Sequence, residues 1–459
     1  MNYTTFIDNF TKDNISEVTI DANANAARKD ICSLNAEKGK SHDKLLTFNK
    51  IFYEMQKKYG IKDARSWLEA EWSGAFYLHD SASASQKPYC YSYDLTRLAK
   101  EGLFFLNKYN NEPPQHLDTF NDDFVEFVSW NANRTSGAVG AADYLIWSWY
   151  FWDKDKRNGK FWEKHGDEFI DASEQARRQS FQKIVYRLNQ PFLRVDQSAF
   201  TNFSIFDRNY LVELFGGKEF PDGTFAIDHI EDLIEHQKVF MEVCSQIKKK
   251  NVMTFPVISV SLLYQNGEFK DEEFARWASA HNREWNDSNF FVSGDIGVLS
   301  SCCRMQNDTK KIKAFINSIG GTSLSIGSVK VNTINLMRIA LESEKDEDKY
   351  IEILKDRVIL CMKTLDTVRH IIKRNVEKGL LNNYIPGCID MDKQFCSIGI
   401  NAMYEAVEYF GYINTDQFGN KSYTDDGIRF ASLILDTINE MKDSFETDYS
   451  WNVEAIPGE

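Results

Sequence analysis

Short apolar segments alternate with amphipathic helices along most of this chain, and this alternation limits its fold more than any other feature. Residues 224–250 and 348–378 carry apolar side chains at helical spacing, so each predicts a long helix with one buried face. Several of the short segments are followed by such a helix. The strand candidates are residues 86–92, 201–206, 253–262, 288–293, 328–337 and 384–388. The alternation predicts an α/β fold.

Two Gly- and Ser-containing segments are candidate ligand sites. Phe395–Asn401 precedes an apolar periodic run, so we predict a helix over 399–410 that begins near Ser397. The Ser397 hydroxyl would be an ordinary helix cap, or the free backbone N–H groups there would bind an anion. Ser325–Asn335 is predicted to be a turn that leads into a strand. Its Asn332 and Asn335 either staple that turn or face a polar ligand.

Composition excludes several classes of protein. The formal net charge of −14 argues against binding to a nucleic-acid backbone. No run of 18 apolar residues is present, and the first residues do not resemble a signal peptide, so we expect no membrane segment and a cytoplasmic location. The eight cysteines are irregularly spaced and show no zinc-binding pattern, so we expect neither a disulfide framework nor a bound metal.

Two adjacent cysteines, Cys302 and Cys303, lie before Arg304 in an apolar segment with Gly and Ser, and Cys90 lies far upstream. Adjacent cysteines are geometrically poor partners for a structural disulfide. The pair therefore indicates either sulfur chemistry or two small buried side chains, since free cysteine is among the most buried residue types.

Several short motifs together resemble one family, over about residue 20 to the last residue. They are Asp21–Asn25, Tyr77–Asp80, Pro88–Cys90, Gln197–Asn202, Ser301–Arg304, Thr333–Leu336 with Arg338, Phe395–Gly399 and Asn452–Glu459. In this order the set resembles the anaerobic (class III) ribonucleoside-triphosphate reductases, which are glycyl radical enzymes. Two alternatives remain open, a pyruvate formate-lyase-like acyltransferase and an inactive remnant that only binds nucleotides.

The resemblance implies the fold and the reactive cysteines. The expected fold is a ten-stranded α/β barrel over 1–459, with an N-terminal helical part at about 1–80 and a central finger loop at about 295–308. Cys303 would carry the thiyl radical that abstracts the ribose 3′-hydrogen, with Cys302 as the alternative. Cys90 would lie on a barrel strand opposite and help to reduce the 2′-carbon.

The resemblance also implies residues that contact the substrate, a ribonucleoside triphosphate. Ser397, Ile398 and Gly399 would hold its phosphates at a helix N-terminus. Ser328 or Asn332 would hydrogen-bond the ribose or the reductant. This second pair is the more variable part of the implied site.

The expected cofactors and partners also follow from the family. A glycyl radical would be generated by a radical S-adenosylmethionine iron–sulfur activase, and formate or a thiol system would be the reductant. ATP or deoxynucleotides would act as specificity effectors on a homodimer. We expect no N-terminal ATP cone. We expect the zinc and glycyl radical module to be absent from this chain, and to lie either on a separate C-terminal polypeptide or on a longer gene product from which the chain is truncated. Phe410-Gly411-Tyr412 reads as a helix C-terminus and not as a radical loop.

Overall fold

The computed structural model describes residues 31–106, 112–165, 168–190, 193–194, 198–251, 253–294, 326–384 and 389–455, with residues 5, 7–8, 296, 300–301 and 305–306. Its helices of six or more residues are α1 Ile31–Tyr59, α2 Ile61–Ser73, α3 Thr96–Glu101, α4 Leu117–Ala132, α5 Tyr144–Arg157, α6 Ser173–Leu188, α7 Ile230–Lys248, α8 Glu272–Trp285, α9 Leu336–Ser343, α10 Glu347–Glu377, α11 Met403–Phe410 and α12 Asp425–Ser444.

The strands follow the same chain order. They are β1 Phe76–Leu78, β2 Cys90–Ser92, β3 Val139–Gly140, β4 Trp162–His165, β5 Glu168–Asp171, β6 Thr201–Phe206, β7 Val257–Gln265, β8 Glu268–Phe269, β9 Ser288–Ser293, β10 Ser300–Ser301, β11 Met305–Gln306, β12 Gly327–Asn335, β13 Gln394–Asn401, β14 Ile413–Thr415, β15 Lys421–Tyr423 and β16 Trp451–Ala455. The α/β class is confirmed.

The chain divides into two compact units, and unit 1 comprises residues 1–39, 90–326 and 382–390. Its strands β2, β3, β6, β7 and β9 pair in parallel in that order, and β8 adds to β7 in antiparallel. Helices α4, α5, α6 and α7 bury an aromatic core with one face of these strands, including Phe203 and Ile205. Because side chains alternate along a strand, Asn202 and Ser204 point to the other face.

Unit 2 comprises residues 40–89, 327–381 and 391–459. Strands β12, β13 and β16 pair in parallel, and β1 pairs with β12 in antiparallel. The long helix α10 covers one face of these strands. Cys361 on α10 donates its S–H to the Asn332 carbonyl at 3.4 Å, and Cys396 on β13 donates to the Leu365 carbonyl at 3.9 Å.

Capping residues explain where the helices of unit 2 begin and end. Asn335 caps α9 by accepting from the Arg338 N–H, and its amide donates to the Gly74 carbonyl at 3.3 Å. Asn335 therefore staples a turn, one of the two roles predicted for it. The predicted end of α10 at Gly379 is confirmed by its φ of 72°. Gly411 has φ of 88° at the end of α11, which confirms that Phe410-Gly411-Tyr412 is a helix C-terminus.

The structure contradicts one expectation about secondary structure and leaves the expected barrel unconfirmed. The predicted helix over 399–410 is wrong in its first part, since 394–401 is strand β13 and α11 begins only at Met403. The pairings described within each unit do not close, so they do not confirm a ten-stranded barrel. Cys302 and Cys303, between β10 and β11, lie outside the described residues.

Candidate active site

Cys90 begins strand β2 of unit 1 and is only 2% exposed. The Ala138 backbone N–H donates to its sulfur at 3.2 Å. The next residue, Tyr91, points to the opposite strand face and belongs to the aromatic core. Cys90 is thus a buried thiol on a strand, and its position opposite Cys303 stays a prediction, since Cys303 lies outside the described residues.

The strand face that carries Cys90 is polar in the neighbouring strands. Ser92, Gly140 and Asn202 are register partners across β2, β3 and β6. The Asn202 amide donates to the Val257 carbonyl and to the Ser259 hydroxyl, both at 3.0 Å. This face of unit 1 therefore carries small polar groups, of which Asn202 and Ser259 bond to each other.

Unit 2 has a second polar strand face, which begins with two serines. Ser328 and Ser397 are fully buried, and their hydroxyl oxygens lie 2.8 Å apart. Ser328 also donates to the Lys330 carbonyl at 3.1 Å. Ser328 cannot use its single proton twice, so Ser397 donates to Ser328 when Ser328 donates to that carbonyl.

His79 and Thr333 extend this face toward β1. The His79 Nε2 lies 2.8 Å from the Thr333 hydroxyl, and Thr333 is the register partner of Gly399. The pKa of His79 is lowered to about 4, chiefly by burial, which outweighs the opposing charge of Asp80, with a smaller lowering by the charge of Lys330. The imidazole is therefore neutral at pH 7.

Strand β16 adds an amide and a carboxyl group. Asn452 is the register partner of Ser397, and Glu454 is the register partner of Gly399. Register partners in a parallel pair point to the same face, so we define the unit 2 polar face as Ser328, Thr333, Ser397, Gly399, Asn452 and Glu454. Asn452 is 7% exposed, and neither polar atom of its side chain has a hydrogen-bond partner among the described residues.

Comparison with known proteins identifies the family. The model of the family "Anaerobic ribonucleoside-triphosphate reductase" matches residues 35–459. The chain belongs to this family. The resemblance seen in the sequence is confirmed, and the activity of the family is nucleotide reduction.

Solved structures agree with the family model. The anaerobic ribonucleotide reductase from Thermotoga maritima with citrate in the active site is 37% identical, with a TM-score of 0.84, over 98% of this chain and 77% of that one. Another anaerobic ribonucleotide reductase is 38% identical, with a TM-score of 0.85, over 98% and 69%. The Thermotoga maritima enzyme in complex with dATP and CTP is 38% identical, with a TM-score of 0.82, over 93% and 68%. No curated protein matches significantly.

In this reductase, the helix N-terminus predicted at the phosphate site is wrong, and contact of the predicted residues with phosphate stays a prediction. Ser397, Ile398 and Gly399 lie inside strand β13, between β12 and β16, so their backbone groups take part in ladders on both sides. They do not present the free N–H groups of a helix N-terminus. Glu454 is the register partner of Gly399, and its carboxyl group on the same face would oppose a polyphosphate if ionised.

The residues predicted to contact the substrate lie on two opposite faces of strands β12 and β13. Ser328 and Ser397 lie together on the unit 2 polar face. Strand alternation places Asn332 and Ile398, which are register partners, on the opposite face. Both side-chain polar atoms of Asn332 are buried without a partner among the described residues, so its role stays a prediction.

Sequence reasoning quoted Asn452 and Glu454 only as motif residues and assigned them no role. The signal was available, because polar and apolar residues alternate over Asn452, Val453 and Glu454 as in a strand with one polar face. Within the described ranges, no group of three His, Cys, Asp or Glu side chains is arranged to hold a metal ion. No described helix is both long and apolar enough to cross a membrane.

Proposed function

We propose that this chain supplies the thiol site of an anaerobic ribonucleoside-triphosphate reductase, in which Cys303 abstracts the 3′-hydrogen and Cys90 helps to reduce the 2′-carbon. Cys302 is the alternative radical cysteine. The observation that carries the proposal is the buried Cys90 thiol on a strand face lined with small polar groups. Radical chemistry requires such an enclosed position, because water and stray thiols would quench the radical.

The overall reaction must balance at the 2′-carbon. The C2′–OH bond breaks, water leaves, and a C2′–H bond forms, which consumes two electrons and two protons. Formate, oxidised to carbon dioxide, or a dithiol, oxidised to a disulfide, would supply the two electrons. The hydrogen taken from C3′ returns to C3′ at the end, so the cysteine that abstracts it is regenerated.

The alternation of polar and apolar side chains along the strands supports a barrel that encloses the reacting cysteines. Parallel sheets covered by helices on both faces are apolar on both, whereas β6 carries Asn202 and Ser204 beside Phe206 on one face, and β13 carries Ser397 beside Phe395 on one face. The inside of a ten-stranded barrel would use such a polar face, with the finger loop at about 295–308 inside it. We propose this arrangement for the chain.

A glycyl radical would supply the one-electron oxidising equivalent for the cysteine. The family's radical-loop motif has no match in residues 1–459, so we place the glycine on another polypeptide or segment. The 459-residue chain treated with a radical S-adenosylmethionine activase should give no glycyl doublet in electron paramagnetic resonance. Adding a polypeptide that carries the glycine loop should produce the doublet, and a doublet from the chain alone would refute this placement.

Nucleotides would act as both substrates and effectors. One solved structure of the Thermotoga maritima enzyme has dATP bound in the specificity site, and another structure of the same enzyme is in complex with dATP and CTP. We propose that this chain takes CTP as one substrate and binds a deoxynucleotide effector, as a homodimer. Light scattering with and without dATP checks the dimer.

The decisive test of function is turnover under anaerobic conditions with the radical in place. Cys303→Ser and Cys90→Ser should each abolish formation of deoxynucleotides without unfolding the chain, since a hydroxyl does not form a thiyl radical or a disulfide. Cys244→Ala is the matched control, because Cys244 is buried in the core of unit 1 and should leave turnover intact. A wild-type chain that binds CTP but shows no turnover with the glycyl radical polypeptide in place would indicate the inactive remnant instead.

A further inference from the structure

We propose that Asn452 determines recognition of the ribose, by bonding the 2′- and 3′-hydroxyls of the bound ribonucleotide with its carboxamide. The inference rests on the proposed reductase site and adds a residue to it. The carboxamide of Asn452 is buried, yet its oxygen and its nitrogen have no partner among the described residues. Buried polar groups in native proteins are nearly always bonded, so an unpaired pair of this kind calls for a ligand.

The surroundings of Asn452 point to the site and not to the packed helical side. Asn452 shares its strand face with Ser397 by register, and Ser397 bonds to Ser328. Val453, the next residue, is the register partner of Ile398 on the opposite face. The amide therefore extends a row of hydroxyl groups that belong to one polar face.

The hydrogen-bonding groups of the unit 2 polar face favour binding of a sugar over binding of a polyphosphate. A carboxamide offers one acceptor oxygen and a donor NH₂ group, and a vicinal diol offers donors and acceptors in return. A polyphosphate offers acceptors only, so the Asn452 oxygen would stay unpaired against it. Glu454, two residues further on the same face, would also repel phosphate when ionised.

A nucleobase fits the same row less well. Among the described residues of this strand face on β12, β13 and β16, the one aromatic side chain is Phe395, the register partner of Ser328, and it is 5% exposed, so its ring offers little open surface on which a base would stack. The polar side chains of the face are short and present hydrogen-bonding groups. The ribose is the part of the substrate with a matching set of small polar groups.

The test measures binding alone and needs no radical. The probes are CTP and its 2′-deoxy and 3′-deoxy analogues, each competed against labelled CTP so that only the CTP site is counted. Asn452→Ala should weaken CTP about 10-fold, which corresponds to the loss of about 1.4 kcal/mol, and should weaken the two deoxy analogues about 2-fold or less. The preference for the ribonucleotide would then fall about 5-fold.

Two controls make the result decisive. Asn439→Ala removes an exposed amide on α12 that bonds only locally, to the Leu435 carbonyl at 3.0 Å, and should change neither affinity. Asn452→Ser, which keeps a small polar group, serves if the alanine variant does not fold. Equal losses for CTP and both analogues, or no loss for any, would overturn the role of Asn452. Failure of the wild-type chain to bind CTP would instead overturn the nucleotide site itself.

Discussion

Two buried asparagines on parallel strands, Asn202 in unit 1 and Asn452 in unit 2, have opposite hydrogen-bonding states. Asn202 is 2% exposed, and its amide bonds a carbonyl and a hydroxyl of the neighbouring strand. Asn452 is about as buried, and its amide bonds nothing among the described residues. The same residue type is thus part of the scaffold in one unit and a candidate ligand contact in the other.

A buried ion cluster in unit 1 resembles Asn202, because its polar groups also bond to partners within the unit. The Lys218 ammonium donates to Asp143 at 2.9 Å, to Asp94 at 3.3 Å and to the Thr96 hydroxyl at 2.8 Å. Burial alone would lower the pKa of Lys218, but the two carboxylates more than offset this and raise it. Asp143 also accepts from the Leu95 and Trp147 N–H groups. Lys218 and Asp143 thus find their hydrogen-bond partners within unit 1, so we infer that the cluster stabilises the fold.

Lys218→Met should give the largest loss of stability among these variants, because it removes the cation of the buried cluster. The change leaves Asp143 buried without its cation, which should lower the free energy of unfolding by about 3–5 kcal/mol. Urea unfolding followed by circular dichroism measures it. Lys183→Met, which removes an exposed pairing with Asp122 at 3.0 Å, should cost about 0–1 kcal/mol. Equal effects of the two variants would refute a structural role for the cluster.

Asn202→Ala and Asn452→Ala test the comparison directly. The first leaves a buried carbonyl and hydroxyl without a donor and should cost about 1–3 kcal/mol of unfolding free energy. The second removes an amide that makes no hydrogen bond among the described residues, so its cost should stay within about 0.5 kcal/mol of unfolding free energy. Thermal unfolding of the two variants and the wild type measures both losses of stability. A large loss of stability in Asn452→Ala would show that its amide is a scaffold group like that of Asn202.

His79 gives a pH dependence that belongs to unit 2. Its pKa is about 4 in the folded chain and about 6.5 when unfolded, so the unfolded state binds more protons between these values. The contribution of His79 is therefore complete above about pH 6.5 and is lost as the pH falls toward 4. At pH 5 the loss relative to pH 7 should reach about 2 kcal/mol.

The matched variant for this prediction is His79→Gln, which keeps a side chain able to bond Thr333. Unfolding titrations of both proteins between pH 5 and 8 separate the histidine from other groups. The difference in unfolding free energy between wild type and variant should change with pH by the amount stated. A constant difference across this range would show that His79 does not titrate on unfolding.

The sequence predicted the long helices well because their signal is local. Apolar spacing and Gly379 placed a helix at 348–378, and α10 spans Glu347–Glu377. The error at Ser397 has a local cause too, because Ser and Gly resemble a helix cap while Ile398 and Ile400 carry the period of a strand. The hydrogen-bonding states of Asn202 and Asn452 were not predictable from local sequence. The partners of Asn202, Val257 and Ser259, lie on β7, 55 and 57 residues further along the chain.

Substitution of the two serines of the unit 2 polar face should give a small loss of stability, and it tests whether self-bonded and unpaired groups differ within one unit. Ser328 and Ser397 bond to each other at 2.8 Å, so they resemble Asn202 in state although they share a face with Asn452. Ser328→Ala and Ser397→Ala should each cost about 0.5–1.5 kcal/mol of unfolding free energy. The double variant should cost less than the sum, because both single changes remove the same hydrogen bond. A double-mutant cycle by urea unfolding measures this coupling, and strict additivity would mean that each serine has separate partners. Affinity for CTP, measured on the same four proteins, then shows whether a self-bonded pair on this face also contacts the substrate.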